Sequence, residues 1–154
     1  MSGYVHDWGV DFAMVDQAGQ LVAVAEAKKK ESAEPGWAAA WFRNYNANLP
    51  NVAPPFVILA TPEAIYVWAR RDCGSSAEPT AVADASGIFH SYLRRSNLDA
   101  NVSSTTFELV VGAWLDDFAH HLWQPSTPEE ARVFVGTGLY EAVKGAHVVA
   151  NVAA

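Results

Sequence analysis

Residues 10–28 of the chain read Val10-Asp11-Phe12-Ala13-Met14-Val15, then Asp16-Gln17-Ala18-Gly19-Gln20, then Leu21-Val22-Ala23-Val24-Ala25-Glu26-Ala27-Lys28. Two apolar runs separated by a short polar segment predict the arms of a β-hairpin, closed on Ala18-Gly19. If Gln17 faces Gln20, the numbers of opposed residues sum to 37. This register places Asp11 directly opposite Glu26, with Cβ atoms about 4.5 to 5.5 Å apart.

Alternation along the two strands assigns their side chains to two faces of the hairpin. One face is predicted to carry Val10, Phe12 and Met14 with Leu21, Ala23, Ala25 and Ala27, and the other Asp11, Ala13 and Val15 with Val22, Val24, Glu26 and Lys28. Because both sets are mainly apolar, we expect the hairpin to be covered on both sides. The charged residues gather at the end away from the turn.

Asp11, Glu26 and Lys28 therefore form a charged group inside an apolar sheet. Buried charges cost several kcal/mol unless they are paired or bind a metal. Lys28 lies two residues from Glu26 on the same face and neutralises one carboxylate. The second carboxylate remains for another cation, and Mg²⁺ prefers oxygen ligands of this kind.

This arrangement resembles the PD-(D/E)XK nuclease superfamily, whose fold is that of the restriction endonucleases. An acid on one strand is followed by Glu-x-Lys on the next, by a helix over 37–49, and by strands over 55–60 and 65–70. The resemblance covers roughly the first half of the chain. It implies an α/β fold with a mixed central β-sheet flanked by helices.

We expect one domain over residues 1–154. Residues 1–71 would form the nuclease-like sheet and helix, and residues 80–154 a mostly helical extension in which 146–152 alternates weakly, as a terminal strand does. The turn-rich stretch between these parts is too short for a free linker.

The resemblance also implies a function and the residues that perform it. Asp11 and Glu26 would bind Mg²⁺ or Mn²⁺ with help from the carbonyl of Ala27, and Lys28 would orient or activate the water that attacks a DNA phosphodiester. Lys29 and Lys30 lie where the phosphate backbone would pass, although a solvated strand end explains them equally well. Arg43 is a further phosphate-binding position.

The chain departs from the family pattern in three places. Val10 replaces the Pro that gives the family its name, and Trp41 stands four residues before Tyr45, where exonuclease-type relatives carry Gln. Most relatives also have an N-terminal helix, often with another Glu, whereas residues 1–8 alone precede the first strand here. The missing helix has three explanations: the chain is truncated, a partner subunit or a homo-oligomer supplies the helix, or activity has been lost. The alternative function is thus an inactive relative that serves as a binding or assembly module.

Composition restricts the class of protein further. The chain has 154 residues, of which 51% are hydrophobic and 18% charged, as expected for one globular domain with a proper core. Cys73 is the only cysteine, so no internal disulfide forms. No segment has the pattern of a signal peptide or a membrane-spanning helix. We therefore expect a cytoplasmic protein without a membrane partner.

The net charge of −7 is unevenly distributed. Residues 1–71 hold six basic and seven acidic residues, which gives −1, and the remainder gives −6. The acidity thus lies mainly outside the part that carries the motif. Because phosphate contacts dominate nucleic-acid affinity, we expect DNA binding by this chain alone to be weak.

The second half carries helix-capping and packing signals. A capping box at Thr105-Thr106-Phe107-Glu108 predicts a long helix ending near Trp123, and Thr127-Pro128-Glu129-Glu130 predicts another helix start. Further helices are predicted over 84–95 and 139–144. The long helix should bury an apolar stripe: Phe107, Val110, Val111, Trp114, Leu115 and Phe118.

Three other patterns have both a functional and a structural interpretation. Trp37, Trp41 and Tyr45 form one helical stripe, which could stack on unpaired bases but more often belongs to a core. Asp116 with His120 and Asp117 with His121 are spaced by four, as metal ligands can be, yet His near the last turn of a helix also interacts favourably with the dipole. His6 and Asp7 precede the first strand and could reach a metal as outer ligands.

Overall fold

The computed structural model describes residues 9–49, 53–98 and 101–151, so His6 and Asp7 lie outside the described residues. Its strands are β1 (Phe12–Val15), β2 (Leu21–Ala27), β3 (Phe56–Ala60), β4 (Ala64–Ala69), β5 (Ala81–Asp84) and β6 (His147–Ala150). Its helices are α1 (Trp37–Ala47), α2 (Arg70–Cys73), α3 (Ser86–Arg95), α4 (Ser104–Ala119), α5 (Pro128–Glu130), which continues into a π-helical segment (Ala131–Val135), and α6 (Leu139–Ala142).

The strands form one mixed, open sheet in the order β5-β4-β3-β2-β1-β6. Only β2 and β3 pair in parallel among the described strands. A parallel pair needs a long crossover connection, and α1 lies in the segment that joins β2 to β3. The protein is therefore an α/β protein with helices flanking a mixed sheet, as predicted at this coarse level.

Both edge strands come from the second half of the chain. β6 confirms the weakly alternating terminal strand and pairs antiparallel with β1. β5 was not predicted, because the sequence pattern indicated a helix from residue 84, whereas α3 begins at Ser86. The second half is thus less helical than the sequence indicated, and it completes the sheet at both edges.

The hairpin register is the predicted one, although the turn is not. Phe12 faces Ala25 and Met14 faces Ala23, so opposed numbers sum to 37. The Asp16 N–H, however, donates to the Gln20 carbonyl at 2.9 Å, which encloses a three-residue loop instead of a two-residue one. A β-bulge after Met14 accommodates the extra residue on β2 and restores the predicted register.

The bulge also changes which face two side chains occupy. Leu21 packs on the α1 side of the sheet and Val22 on the opposite side, the reverse of the predicted assignment. Val10 likewise packs on the α1 side, because Gly9 to Asp11 form a bend before β1 begins. Strict alternation fails where the backbone is not a regular strand.

Both faces of the sheet are covered, which confirms the prediction for the hairpin. On one face α1 packs through Phe42, whose ring stacks on Trp68 with centroids 4.6 Å apart. On the other face α3, α4 and the π-helical segment form a larger core around Trp114. The central strand β3 is buried along its whole length, as its apolar sequence requires.

Helix α4 begins earlier than its capping box predicted. The N-cap is Ser103, whose Oγ accepts the Thr106 N–H at 3.1 Å, and the helix ends at Ala119. The predicted cap at Thr105 is therefore wrong, and Glu108 has no capping role. The predicted apolar stripe is buried throughout. Thr127 caps α5 as predicted, since its Oγ1 accepts the Glu130 N–H at 3.1 Å.

Helix α4 lies close to β1 at one glycine. A Cβ atom built on Gly112 would lie 3.0 Å from both Cε1 and Cζ of Phe12, closer than packed side chains normally approach. The absence of a side chain at Gly112 therefore allows the helix to rest against the Phe12 ring. Glu108 lies one helical turn before this contact.

Candidate active site at the open end of the hairpin

The structure brings Asp11 and Glu26 together as the register requires. Asp11 immediately precedes β1 and Glu26 lies near the end of β2. The Asp11 N–H donates to Glu26 Oε1 at 3.1 Å, and the Ala27 N–H donates to Asp11 Oδ2 at 2.9 Å. Each carboxylate thus has one oxygen fixed by the backbone of the opposite strand, which orients both side chains before any ligand binds.

Lys28 lies beside this pair. Its Nζ is 3.3 Å from Glu26 Oε2, and the side chains of Lys28 and Glu26 are 48% and 14% exposed. The Lys28 N–H donates to the Ala60 carbonyl at 2.9 Å, which continues the pairing of β2 with β3. The backbone of Lys28 is therefore held by the sheet while its ammonium group reaches solvent.

The carboxyl group of Glu26 has an unusual affinity for protons. Burial, together with the charge of Asp11 and a side-chain hydrogen bond with Asp11, raises the pKa of Glu26 to about 7, against the opposing effect of Lys28. Desolvation disfavours the charged form of an acid, and a neighbouring acid adds repulsion. One ammonium group thus does not compensate both carboxylates.

A third acid, Glu108, reaches the same place from α4. Burial raises the pKa of Glu108, and the charge of Asp11 and a side-chain hydrogen bond with Asp11 raise it further. Sequence reasoning missed this residue because it assigned Glu108 to a capping box. The sequence feature that could have indicated Glu108 is Gly112, since a glycine within an apolar helical stripe marks a close approach of the backbone.

These donors fit a hard divalent cation. Carboxylate oxygens are its preferred ligands, and the acids around Asp11 outnumber the nearby ammonium groups. Within 9–49, 53–98 and 101–151 no three His, Cys, Asp or Glu side chains form a group that could hold a metal ion. Mg²⁺ is commonly bound through only one or two carboxylates, with water and substrate phosphates as the other ligands. Asp11 and Glu26 are the two carboxylates that would serve in that mode.

A groove of about 590 Å³ opens next to Lys28. Its lining combines basic and aromatic side chains: Lys28, Lys29, Lys30, Trp37, Ala40, Trp41 and Ser104. Two of the predicted phosphate-binding residues, Lys29 and Lys30, therefore line the same groove as Lys28, which pairs with Glu26. Arg43 is exposed on α1 and does not line this groove, so its role in binding phosphate stays a prediction.

The Asp and His pairs of α4 have ordinary structural partners. Nδ1 of His120 lies 2.9 Å from the Asp116 carbonyl oxygen, and the His121 ring stacks on Tyr140 at 3.8 Å. Asp117 Oδ2 accepts the Tyr92 hydroxyl at 2.7 Å. The spacing of four thus reflects the end of a helix here, in agreement with the structural interpretation.

No known protein family matches the sequence, and searches among curated proteins and solved structures gave no match either. None of the helices in the three described ranges combines the length and apolar character that crossing a bilayer requires. Functional inference therefore depends on the residues and geometry of the site itself.

Proposed function

We propose that this protein is a metal-dependent nuclease of the PD-(D/E)XK, restriction-endonuclease-like type, which hydrolyses DNA phosphodiester bonds. The observation that carries the proposal is the facing pair Asp11 and Glu26, each fixed by the opposite strand, with the Lys28 ammonium 3.3 Å from Glu26. Two carboxylates and a lysine at the end of a buried hairpin are the elements that this chemistry needs.

The order of structural elements supports the same proposal. The hairpin β1-β2 is followed by α1, by the parallel strand β3 and by the antiparallel strand β4, in the order that the family resemblance implies. Glu26 lies near the end of β2 and pairs with Lys28, which also lines the basic groove. A substrate phosphate in the groove would therefore meet the acidic pair at one end.

Asp11 and Glu26 would hold Mg²⁺ or Mn²⁺, and the bound ion would supply Lewis acidity at the phosphate. Lys28 would orient the attacking water and stabilise the negative charge that develops on the phosphate oxygens. Its backbone is fixed by Ala60, while its side chain is nearly half exposed, so it can contact substrate without moving the sheet.

Helix α4 supports a complete site within this chain. Relatives commonly place a helix with another Glu at this end of the sheet, before the first strand. Here α4 covers the sheet on the face of Phe12 and brings Glu108 to Asp11, although it comes later in the chain. Glu108 would take part in binding the cation through its contact with Asp11.

A cleavage assay tests the proposal. Purified protein with Mn²⁺ is incubated with supercoiled, linear duplex and single-stranded DNA, and products are separated by electrophoresis. We expect cleavage of at least one substrate, which EDTA and Asp11→Asn abolish. Asp116→Asn is the matched control, because it changes an exposed aspartate of α4 outside the site.

Intact DNA in every reaction of the wild-type protein would refute the nuclease function. It would instead favour the inactive relative, in which the same three residues form only a buried ionic cluster. Equal cleavage by wild type and Asp11→Asn would locate any activity elsewhere.

A further inference from the structure

The groove next to Lys28 combines basic and aromatic side chains. Three consecutive lysines, Lys28 to Lys30, share it with Trp37 and Trp41. The Lys30 N–H donates to the Lys28 carbonyl at 2.8 Å, which closes a three-residue turn. In a regular strand the middle lysine would point to the opposite face, so the turn allows all three to line one groove.

The two indole rings are held in place by other aromatic residues. Trp41 stacks on Tyr45 with centroids 5.5 Å apart and an interplanar angle of 3°. Trp37 contacts Tyr66 edge to face at 6.2 Å. Both tryptophans are partly exposed, and their free surface lines the groove. Since their orientation is already fixed, little side-chain freedom is lost when a flat ligand stacks on them.

The charges of the groove favour phosphate. Lys28 pairs with Glu26, whereas Lys29 and Lys30 form no ion pair within the described ranges. Lys29 Nζ lies 3.5 Å from Asn101 Oδ1, a neutral group. Within the described ranges, two of the three ammonium groups thus have no carboxylate partner.

The same features disfavour a DNA duplex as the ligand. Duplex affinity comes largely from phosphate contacts, about 6 to 10 of them in a strongly salt-dependent complex, whereas this groove offers three lysines on a chain of net charge −7. A duplex also keeps its bases stacked inside, where indole rings cannot reach their faces. An unpaired strand presents phosphates and base faces together.

We infer that this groove binds an unpaired DNA strand, with bases stacked on Trp37 and Trp41 and phosphates on Lys28 to Lys30, and that single-stranded DNA is the substrate. The cleavage part rests on the proposed function. A volume of about 590 Å³ lies within the range of sites for small ligands, so the groove would hold a short stretch of strand. Lys28, which lines the groove and lies 3.3 Å from Glu26, joins this stretch to the acidic pair.

Binding is measured by fluorescence anisotropy of a labelled oligo-dT 12-mer in EDTA, where cleavage is blocked. We expect the single strand to bind at least about 10-fold more tightly than the same length of duplex. Trp41→Leu should weaken binding about 10-fold or more, since stacking on one base contributes this much, and Trp41→Phe should retain most of it. Thermal melts of both variants separate lost stacking from lost folding.

The salt dependence tests the lysines. Three phosphate contacts to a single strand predict a slope of log K against log salt of about −2, and Lys29→Gln or Lys30→Gln should each reduce its magnitude by about 0.7. Lys144→Gln changes an exposed lysine that does not line the groove, so it should leave the slope unchanged.

Duplex binding as tight as single-strand binding, tighter binding of an RNA 12-mer, or normal binding by a folded Trp41→Leu variant would overturn the inference. Two outcomes separate it from the proposed function. Tight single-strand binding without Mn²⁺-dependent cleavage would refute the nuclease alone. Cleavage that prefers duplex and is unchanged in the tryptophan variants would refute the single-strand site alone.

Discussion

The two ends of α4 both gather acidic residues, but in opposite ways. Near its start, Glu108 approaches Asp11, which already faces Glu26. Near its end, Asp117 accepts the Tyr92 hydroxyl at 2.7 Å and lies 3.9 Å from the Arg95 guanidinium. The carboxylates at the start mainly face one another, whereas Asp117 at the end faces a hydroxyl donor and a cation.

The partners of the acids distinguish a candidate site from a cluster of polar residues that only stabilises the fold. Acids that have donors and cations around them lower the energy of the fold and need nothing further. Acids that repel one another without enough cations raise that energy, and a bound cation relieves the repulsion. Sequence spacing alone suggested a metal at both places, and only the partners separate them.

The largest expected effect concerns Lys28. If the acids that meet near the start of α4 form a catalytic site with Lys28, Lys28→Met should reduce Mn²⁺-dependent cleavage by about 100-fold or more. Loss of an electrostatic stabiliser of a transition state has an effect of this size. Lys144→Met serves as the exposed control and should cleave normally. Single-turnover rates at saturating Mn²⁺ measure the effect, and comparable rates for Lys28→Met and wild type would remove Lys28 from the mechanism.

The next prediction is that substitutions in the two acidic clusters change the stability of the protein in opposite directions. Glu26→Gln should stabilise the metal-free protein by about 2 kcal/mol at pH 8, because it removes a buried charge next to Asp11. Asp117→Asn should destabilise it by about 1 to 2 kcal/mol, because it weakens a hydrogen bond to a charged group. Urea denaturation measures both, and equal signs would contradict the distinction.

The pH dependence of this stability follows from the raised pKa of Glu26. The ordinary pKa of 4.5 applies in the unfolded chain and a pKa of about 7 in the native protein, so the native state binds the proton more tightly. The stability that Glu26 contributes is therefore complete below pH 4.5 and is lost as the pH rises through 7. Wild type and Glu26→Gln should be about equally stable at pH 4.5 and diverge above it.

Divalent cations should change the stability of the protein somewhat less than these substitutions do. At ten times its dissociation constant, Mg²⁺ that binds only the native state adds about 1.4 kcal/mol to the stability at neutral pH. Melting temperatures should therefore rise with Mg²⁺ in wild type and Asp117→Asn but not in Asp11→Asn. A rise in Asp11→Asn as large as in wild type would place the cation elsewhere.

The smallest effect is expected at Glu108. It reaches the site through Asp11, so Glu108→Gln should weaken Mn²⁺ affinity by about 10-fold, the lower end of what loss of an outer partner of a ligand costs. Isothermal titration measures the affinity, with Glu141→Gln as an exposed control on α6. No change in Glu108→Gln would show that α4 covers the site without taking part in it.

The hairpin shows how far sequence alone could lead. The facing of Asp11 and Glu26 was predicted through a two-residue turn, and it is observed through a three-residue loop whose extra residue a bulge absorbs. The two apolar runs located the strands, and the bulge after Met14 keeps the opposed residues in the predicted register. Local turn chemistry was the less reliable guide, and it also misplaced Leu21 and Val22.

Elements from distant parts of the chain were harder to predict. Glu108 was hidden because a capping box is a local pattern, whereas its contact with Asp11 depends on where α4 packs. β5 was missed because a four-residue edge strand has little periodicity of its own and pairs only with β4. The basic and aromatic halves of the groove were both visible in the sequence, but their juxtaposition was not.

Gly112 controls how closely α4 approaches the hairpin. A methyl group there would lie 3.0 Å from Cε1 and Cζ of Phe12, so the ring or α4 would have to move by a few tenths of an ångström. A shift of α4 would move Glu108 as well, since Glu108 lies one turn before Gly112 on the same helix. The smallest residue of this helix thereby sets the distance across which its acid meets the hairpin.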